Sequence, residues 1–163
     1  MKYINRKLTI EKISVDNIAK KYGTPTYCYS FNQLKQNIYN FKKNFKSFSP
    51  LICFAVKSNT NFNLIKEIKK FGLGADVVSM GEMMVALKAG INPNKIVFSG
   101  VGKTSNEIGY AIDKKILLIN AESESEIKEI DRIAKLKRRK IQIGIRLNPN
   151  TDARTLNQIS TGK

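Results

Sequence analysis

The chain of 163 residues has no histidine and no tryptophan, two cysteines and four prolines. Without histidine or a Cys-x-x-Cys pair the common zinc ligand sets cannot be assembled, and no metal site is expected. Cys28 and Cys53 could form one bridge at most, so this is not a disulfide-stapled scaffold. No stretch approaches the roughly 20 apolar residues of a membrane span. Residues 1–30 hold no apolar h-region or small-residue cleavage site. A cytoplasmic protein with no membrane partner is therefore expected. Acid is also scarce, with 13 Asp and Glu against 29 Lys and Arg and a net charge of +16. Such a surplus ordinarily raises nucleic acid as a partner. Here the basic residues are scattered, Lys outnumbers Arg 23 to 6, and readers of bases and phosphates favour the planar guanidinium. No nucleic-acid partner is expected. The densest basic run, residues 135–140, falls where a helix should end and cations suit the helix dipole.

What is present is a globular composition, 42% apolar and 26% charged, with an ordered change of period along the chain. Phe31, Leu34, Ile38, Phe41, Phe45 and Phe48 recur at helical spacing behind Ser30 as N-cap, and Pro50 ends the pattern. Residues 51–56 form a continuous apolar run of the kind found in strands buried on both faces. Leu64, Ile65, Ile68 and Phe71 then mark a helix closed by Gly72. Residues 75–78 predict a strand, 82–89 a helix stopped by Gly90, and 95–98 another strand. Two capping boxes, Thr104-Ser105-Asn106-Glu107 and Ser123-Glu124-Ser125-Glu126, announce further helices. Strands are predicted over 116–119 between them and over 141–147 after the second. No internal sequence repeat is evident. The alternation is that of an α/β protein with a parallel sheet, either open and doubly wound or part of an eight-stranded TIM-like barrel. No Gly-x-Gly-x-x-Gly follows a strand, so a dinucleotide fold lacks its main signal.

Polar residues gather just past the predicted strand ends: Lys57-Ser58-Asn59, Ser79, Ser99-Gly100, Glu122-Ser123, and Arg146 with Asn148. On a barrel these positions meet at one mouth, where active sites lie. A lysine ending a buried apolar strand can serve as a nucleophile that condenses with a carbonyl; equally, such a lysine can reach into solvent with no chemical role.

Five stretches decide between these readings. Phe54-Ala55-Val56-Lys57-Ser58-Asn59, Gly74-Ala75-Asp76-Val77-Val78-Ser79-Met80-Gly81-Glu82, Phe98-Ser99-Gly100-Val101-Gly102-Lys103-Thr104, Asn120-Ala121-Glu122-Ser123-Glu124-Ser125 and Arg146-Leu147-Asn148-Pro149 follow in this order. Together they resemble the N-terminal half of the diaminopimelate decarboxylase family, fold-type III pyridoxal 5'-phosphate (PLP) enzymes of lysine biosynthesis. Asp152-Ala153-Arg154-Thr155 and Ile159-Ser160-Thr161-Gly162 favour that family over its ornithine and arginine decarboxylase relatives. One departure is Leu156, where the family usually has histidine.

The resemblance implies an incomplete PLP-binding, alanine racemase-like TIM barrel over residues 31–163 and a lead segment, 1–30, associated with the family's second, β domain. It implies that Lys57 holds PLP through an imine. Asp76 and Arg146, expected on neighbouring strands, would pair beside the cofactor, with Glu82 a further carboxylate near them. Each has a plainer structural reading: a barrel-mouth ion pair for Asp76 and Arg146, a helix-start acid for Glu82. The substrate implied is meso-diaminopimelate, decarboxylated to L-lysine and CO2 by a homodimer. The family's ring-stacking histidine, glycine-rich phosphate loop and cysteine segment lie beyond the last motif. The chain is thus expected to be an N-terminal fragment, inactive alone. The other readings are a different fold-type III decarboxylase, acting on ornithine, arginine or carboxynorspermidine, and a non-catalytic PLP-binding homologue.

Overall fold

The computed structural model describes residues 1–149; the stretch 152–155, Leu156 and the stretch 159–162 lie outside the described residues. The described chain forms two compact units, Met1–Pro50 and the part from Leu51 onward.

The first unit opens with an antiparallel meander, β1 (Lys2–Ile4), β2 (Lys7–Ile10) and β3 (Ile13–Ser14). These strands of two to four residues are too short for a period of two to show in the sequence. Helix α1 (Val15–Tyr22) follows directly, its N-terminus capped by the Ser14 hydroxyl, which accepts from Asn17 N–H. Helix α2 (Phe31–Asn44) is capped by Ser30 as predicted, but ends at Asn44, short of the apolar pattern that runs on to Phe48. Glu11 fastens the meander to the start of α2: its Oε1 accepts from Asn32 N–H at 3.0 Å and from Ser30 Oγ at 2.8 Å. Chiefly the Asn32 amide, and then the Ser30 hydroxyl, hold the Glu11 carboxyl below the usual range.

The second unit holds five parallel strands, β4 (Cys53–Ala55), β5 (Gly74–Val77), β6 (Ile96–Phe98), β7 (Leu118–Ala121) and β8 (Gln142–Ile145). They lie in the order β4-β5-β6-β7-β8. Each connection carries a helix: α3 (Phe62–Lys70), α4 (Met80–Lys88), α5 (Ser105–Lys114) and α6 (Glu124–Leu136). Sequential order settles the choice of architecture. A doubly wound sheet reverses direction at a switch point, whereas a sheet that always adds the next strand on the same edge is the wall of a (β/α)8 barrel.

Side-chain alternation divides the wall into two faces. Ala75, Val77, Ile96, Phe98, Ile119 and Ala121 pack against Ile65, Met83, Ala86, Ile108, Ala111, Ile112, Ile130 and Ile133 of the helices, all of them buried. Burial of each large side chain in this layer contributes about 1.5–3 kcal/mol. The opposite face carries Cys53, Ala55, Gly74, Asp76, Val97, Asn120 and Gly144, as the strand registers require. Gly74 is needed there: a Cβ would collide with the Lys95 carbonyl and crowd Cys53 Sγ.

Candidate active site

Strand β4 stops after Ala55, and the chain turns through a single 3-10 turn, Val56–Ser58. Ser58 Oγ donates to Ala55 O at 2.7 Å and Asn59 N–H to Val56 O at 2.9 Å, closing the turn. Val56 is fully buried and pins it to the core, while Lys57 beside it is exposed. Lys57 is thus presented at the C-terminal end of a strand from an anchored turn. Its amine makes no hydrogen bond or ion pair with the described residues.

Next along the wall, Asp76 projects from β5 on the face away from the helices. Its Oδ1 accepts from Ser99 Oγ at 2.6 Å, and that hydroxyl in turn accepts from Asn120 Nδ2 at 3.0 Å. The amide can only donate through Nδ2, so the single hydroxyl proton of Ser99 is directed to Asp76. One polar chain therefore crosses β5, β6 and β7. Gly144 of β8 completes it by vacancy, since a Cβ there would overlap Asn120 Oδ1.

A second group sits at the loops above. Glu122 Oε1 accepts from Gly100 N–H at 3.1 Å and meets Arg146 Nη1 at 3.5 Å. Glu82 turns back to its own helix start, Oε2 accepting from Val78 N–H at 2.9 Å, while Glu82 N–H donates to the N-cap Ser79. Glu107 joins α4 to α5: it accepts from Met80 N–H and Thr104 N–H, each at 3.0 Å. These amides, Met80 first, hold its carboxyl below the usual range.

The structure thus separates two residues expected together. Asp76 and Arg146 are not on neighbouring strands, because β6 and β7 stand between β5 and β8. Asp76 is bonded to Ser99 and Arg146 is paired with Glu122. Glu82 occupies the helix-capping position of its plainer reading. Missed altogether were the bonding roles of Asn120 and Glu122 and of a buried pair, Lys103 with Glu126. Their signal in the sequence is position alone: Asn120 and Glu122 lie at or just past the end of a strand, Lys103 in the loop after one, and Glu126 closes a capping-box pattern.

A singly wound parallel wall with an unpaired amine at its C-terminal rim defines a partial (β/α)8 barrel of the type that does its chemistry at the strand ends. Residues 31–163 match the family described as pyridoxal-dependent decarboxylase, pyridoxal binding domain, and the chain belongs to that family. Among curated relatives, it is 48% identical to the diaminopimelate decarboxylase of Helicobacter pylori over 147 residues, covering 90% of this chain and 36% of the relative. It is 43% identical to that of Aquifex aeolicus, over 99% of this chain and 38% of the relative. The crystal structure of the Helicobacter pylori enzyme complexed with L-lysine superposes with a TM-score of 0.86 at 46% identity, over 90% of this chain and 37% of that one. The chain therefore spans little more than a third of the length of these relatives. The family's cofactor, PLP, fits the residues present at its aldehyde end: Lys57 offers an exposed primary amine without a competing partner, and a carboxylate, Asp76, stands on the adjacent strand.

Proposed function

We propose that this chain is the PLP-binding portion of a diaminopimelate decarboxylase, which converts meso-2,6-diaminopimelate to L-lysine and CO2. The observation that carries the reading is Lys57, an amine held at the rim by an anchored turn and committed to no other partner. When bound, PLP supplies an electron-withdrawing ring that accepts the electron pair left by a departing carboxylate. Lys57 would hold the cofactor through Nζ, and that same nitrogen, once released, would be available to carry a proton. Asp76 accepts a hydrogen bond from Ser99 through Oδ1 only, so Oδ2 remains to accept one from the cofactor. Arg146, steered by Glu122, supplies positive charge at the mouth, and Glu82 fixes the turn that follows β5. In the same reading the protein acts as a homodimer in the cytoplasm, without a nucleic-acid partner, and residues 1–30 belong with a second, β domain. Among the described residues no helix is long and apolar enough to cross a membrane.

The test is covalent mapping. The chain is incubated with PLP at low concentration and reduced with borohydride, and its peptides are weighed by mass spectrometry. Lys57 is expected to carry most of the label and Lys57→Ala to lose it. Label spread evenly over the 23 lysines would refute the assignment. Carbon dioxide release from meso-diaminopimelate by the 163-residue chain alone is expected to be undetectable, because the wall of five strands formed by the described residues leaves the site open to water.

A further inference from the structure

The loop Gly100-Val101-Gly102-Lys103-Thr104 runs into the N-terminus of α5, a setting in which a lysine commonly reaches for a bound anion. Lys103 does the opposite. Its side chain is 1% exposed, and the ammonium donates to Gly100 O at 2.6 Å, Asn120 O at 2.7 Å and Glu126 Oε1 at 3.0 Å. An ammonium has three N–H donors, and all three are used. The Phe98 ring lies 5.5 Å from the same nitrogen, an added attraction for a desolvated cation. The counter-ion Glu126 is 11% exposed, and its other oxygen accepts from Glu122 N–H at 2.7 Å.

Every partner of this pair is a neighbour of the site. Gly100 is the residue whose N–H holds Glu122; Asn120 is the residue whose amide holds Ser99 on Asp76; Glu122 is the partner of Arg146. We propose that Lys103, with Glu126, is a positioning residue of the Lys57 site: its buried ammonium locks the ends of β6 and β7 at the spacing that places Asp76 and Arg146. The proposal rests on the function assigned above to Lys57. A buried ion pair adds little net stability compared with a well-packed apolar pair. What it does supply is direction, since three fixed acceptors define one position for each loop.

Removing Lys103 alone would strand the Glu126 charge, so the informative variant is the double substitution Lys103→Met with Glu126→Leu, compared with Lys103→Arg and the unaltered chain. Far-UV circular dichroism reports the fold. Amide hydrogen exchange at Gly100 and Glu122, read by mass spectrometry or NMR, reports the loops without any cofactor. PLP labelling of Lys57 relative to the surface lysines reports the site. In the double variant the helical signal is expected to persist. Glu122 N–H loses its Glu126 acceptor in this variant in any case, so exchange at Gly100, whose acceptor Glu122 is retained, is the diagnostic one: it should rise about tenfold or more as the loops open locally, and Lys57 labelling should fall about fivefold from misplacement of its neighbours. Lys103→Arg should restore part of both. Unchanged exchange at Gly100, or unchanged labelling of Lys57, in a folded double variant overturns the proposal. Loss of the helical signal overturns it too, because the pair then holds the domain and not the site. If the unaltered chain takes no label at Lys57, the functional assignment fails, and exchange alone decides whether Lys103 locks the loops.

Discussion

Lys57 and Lys103 both follow strand ends, yet one is exposed with an uncommitted amine and the other is enclosed by three oxygens. Residue type and spacing mark both positions in the sequence; only the fold tells reagent from fastener. The same holds for Asp76 and Arg146. That they lie at strand ends is legible from where the apolar runs stop, but their partners depend on which strands are adjacent, and that is a property of the assembled sheet. Cys53 gives a direct check at this scale. Burial, and secondarily the Asp76 charge on the adjoining strand, push its thiol above the usual range, whereas Cys28 is exposed. Because the thiolate is the reacting form, iodoacetamide at mildly alkaline pH should alkylate Cys28 at least about tenfold faster than Cys53. Peptide mass spectrometry of a time course will show this, and equal rates would contradict the burial of Cys53.

Among the elements, three helices begin with the same four-residue device: Ser79 with Glu82, Thr104 with Glu107, Ser123 with Glu126. In each the hydroxyl accepts from the backbone N–H of the glutamate. Only α5 closes the full reciprocal box; Glu82 and Glu126 reach one residue further back, to Val78 and Glu122 N–H. Two of these caps are read readily from sequence, and the Ser79 cap explains why α4 starts at Met80 and not at 82. The strands were less legible at their ends. β7 begins at Leu118, two residues after the first apolar position of its run, because the Ile116 N–H is spent on Ala111 O at the end of α5 and not on the neighbouring strand. The Glu107 link has a pH consequence. Its carboxyl is held below the free value of 4.5, so its stabilising effect is complete above that value and is lost as pH falls through the lower folded-state value. Glu107→Gln should lower stability at neutral pH and flatten the acid limb of the stability curve, as urea melts between pH 3 and 7 would show. Gly144→Ala tests the polar chain across the strands. The new methyl group displaces the Asn120 carbonyl oxygen, at an expected cost of about 1–3 kcal/mol, read from the midpoint shift of the same melts.

At the scale of the whole molecule, the helix-facing side of β8 is bare. Ile143 is 41% and Ile145 65% exposed, beside a groove of about 650 Å³ lined by Ile127, Ile130, Ala134 and Ile141. Among the described residues β8 is also paired along one edge only. An exposed apolar strand with an open edge promotes association, so the chain should form larger species as its concentration rises. Ile145→Lys should reduce them, and sedimentation or light scattering will register the difference. The parallel wall was legible from five apolar runs alternating with capped helices, whereas the meander of the first unit, with strands of two to four residues, left no periodic trace.

The strand order β4-β5-β6-β7-β8 also bears on how the polypeptide is made. Each strand after β4, on leaving the ribosome, meets a partner already synthesised and waiting on one edge. The links by Glu107 to Met80 and by Arg146 N–H to Ala121 O likewise run from later residues to earlier ones. Consolidation can therefore keep pace with translation, unit upon unit, and a nascent chain paused anywhere along the wall leaves unsheltered only its newest strand and the outer edge of β4.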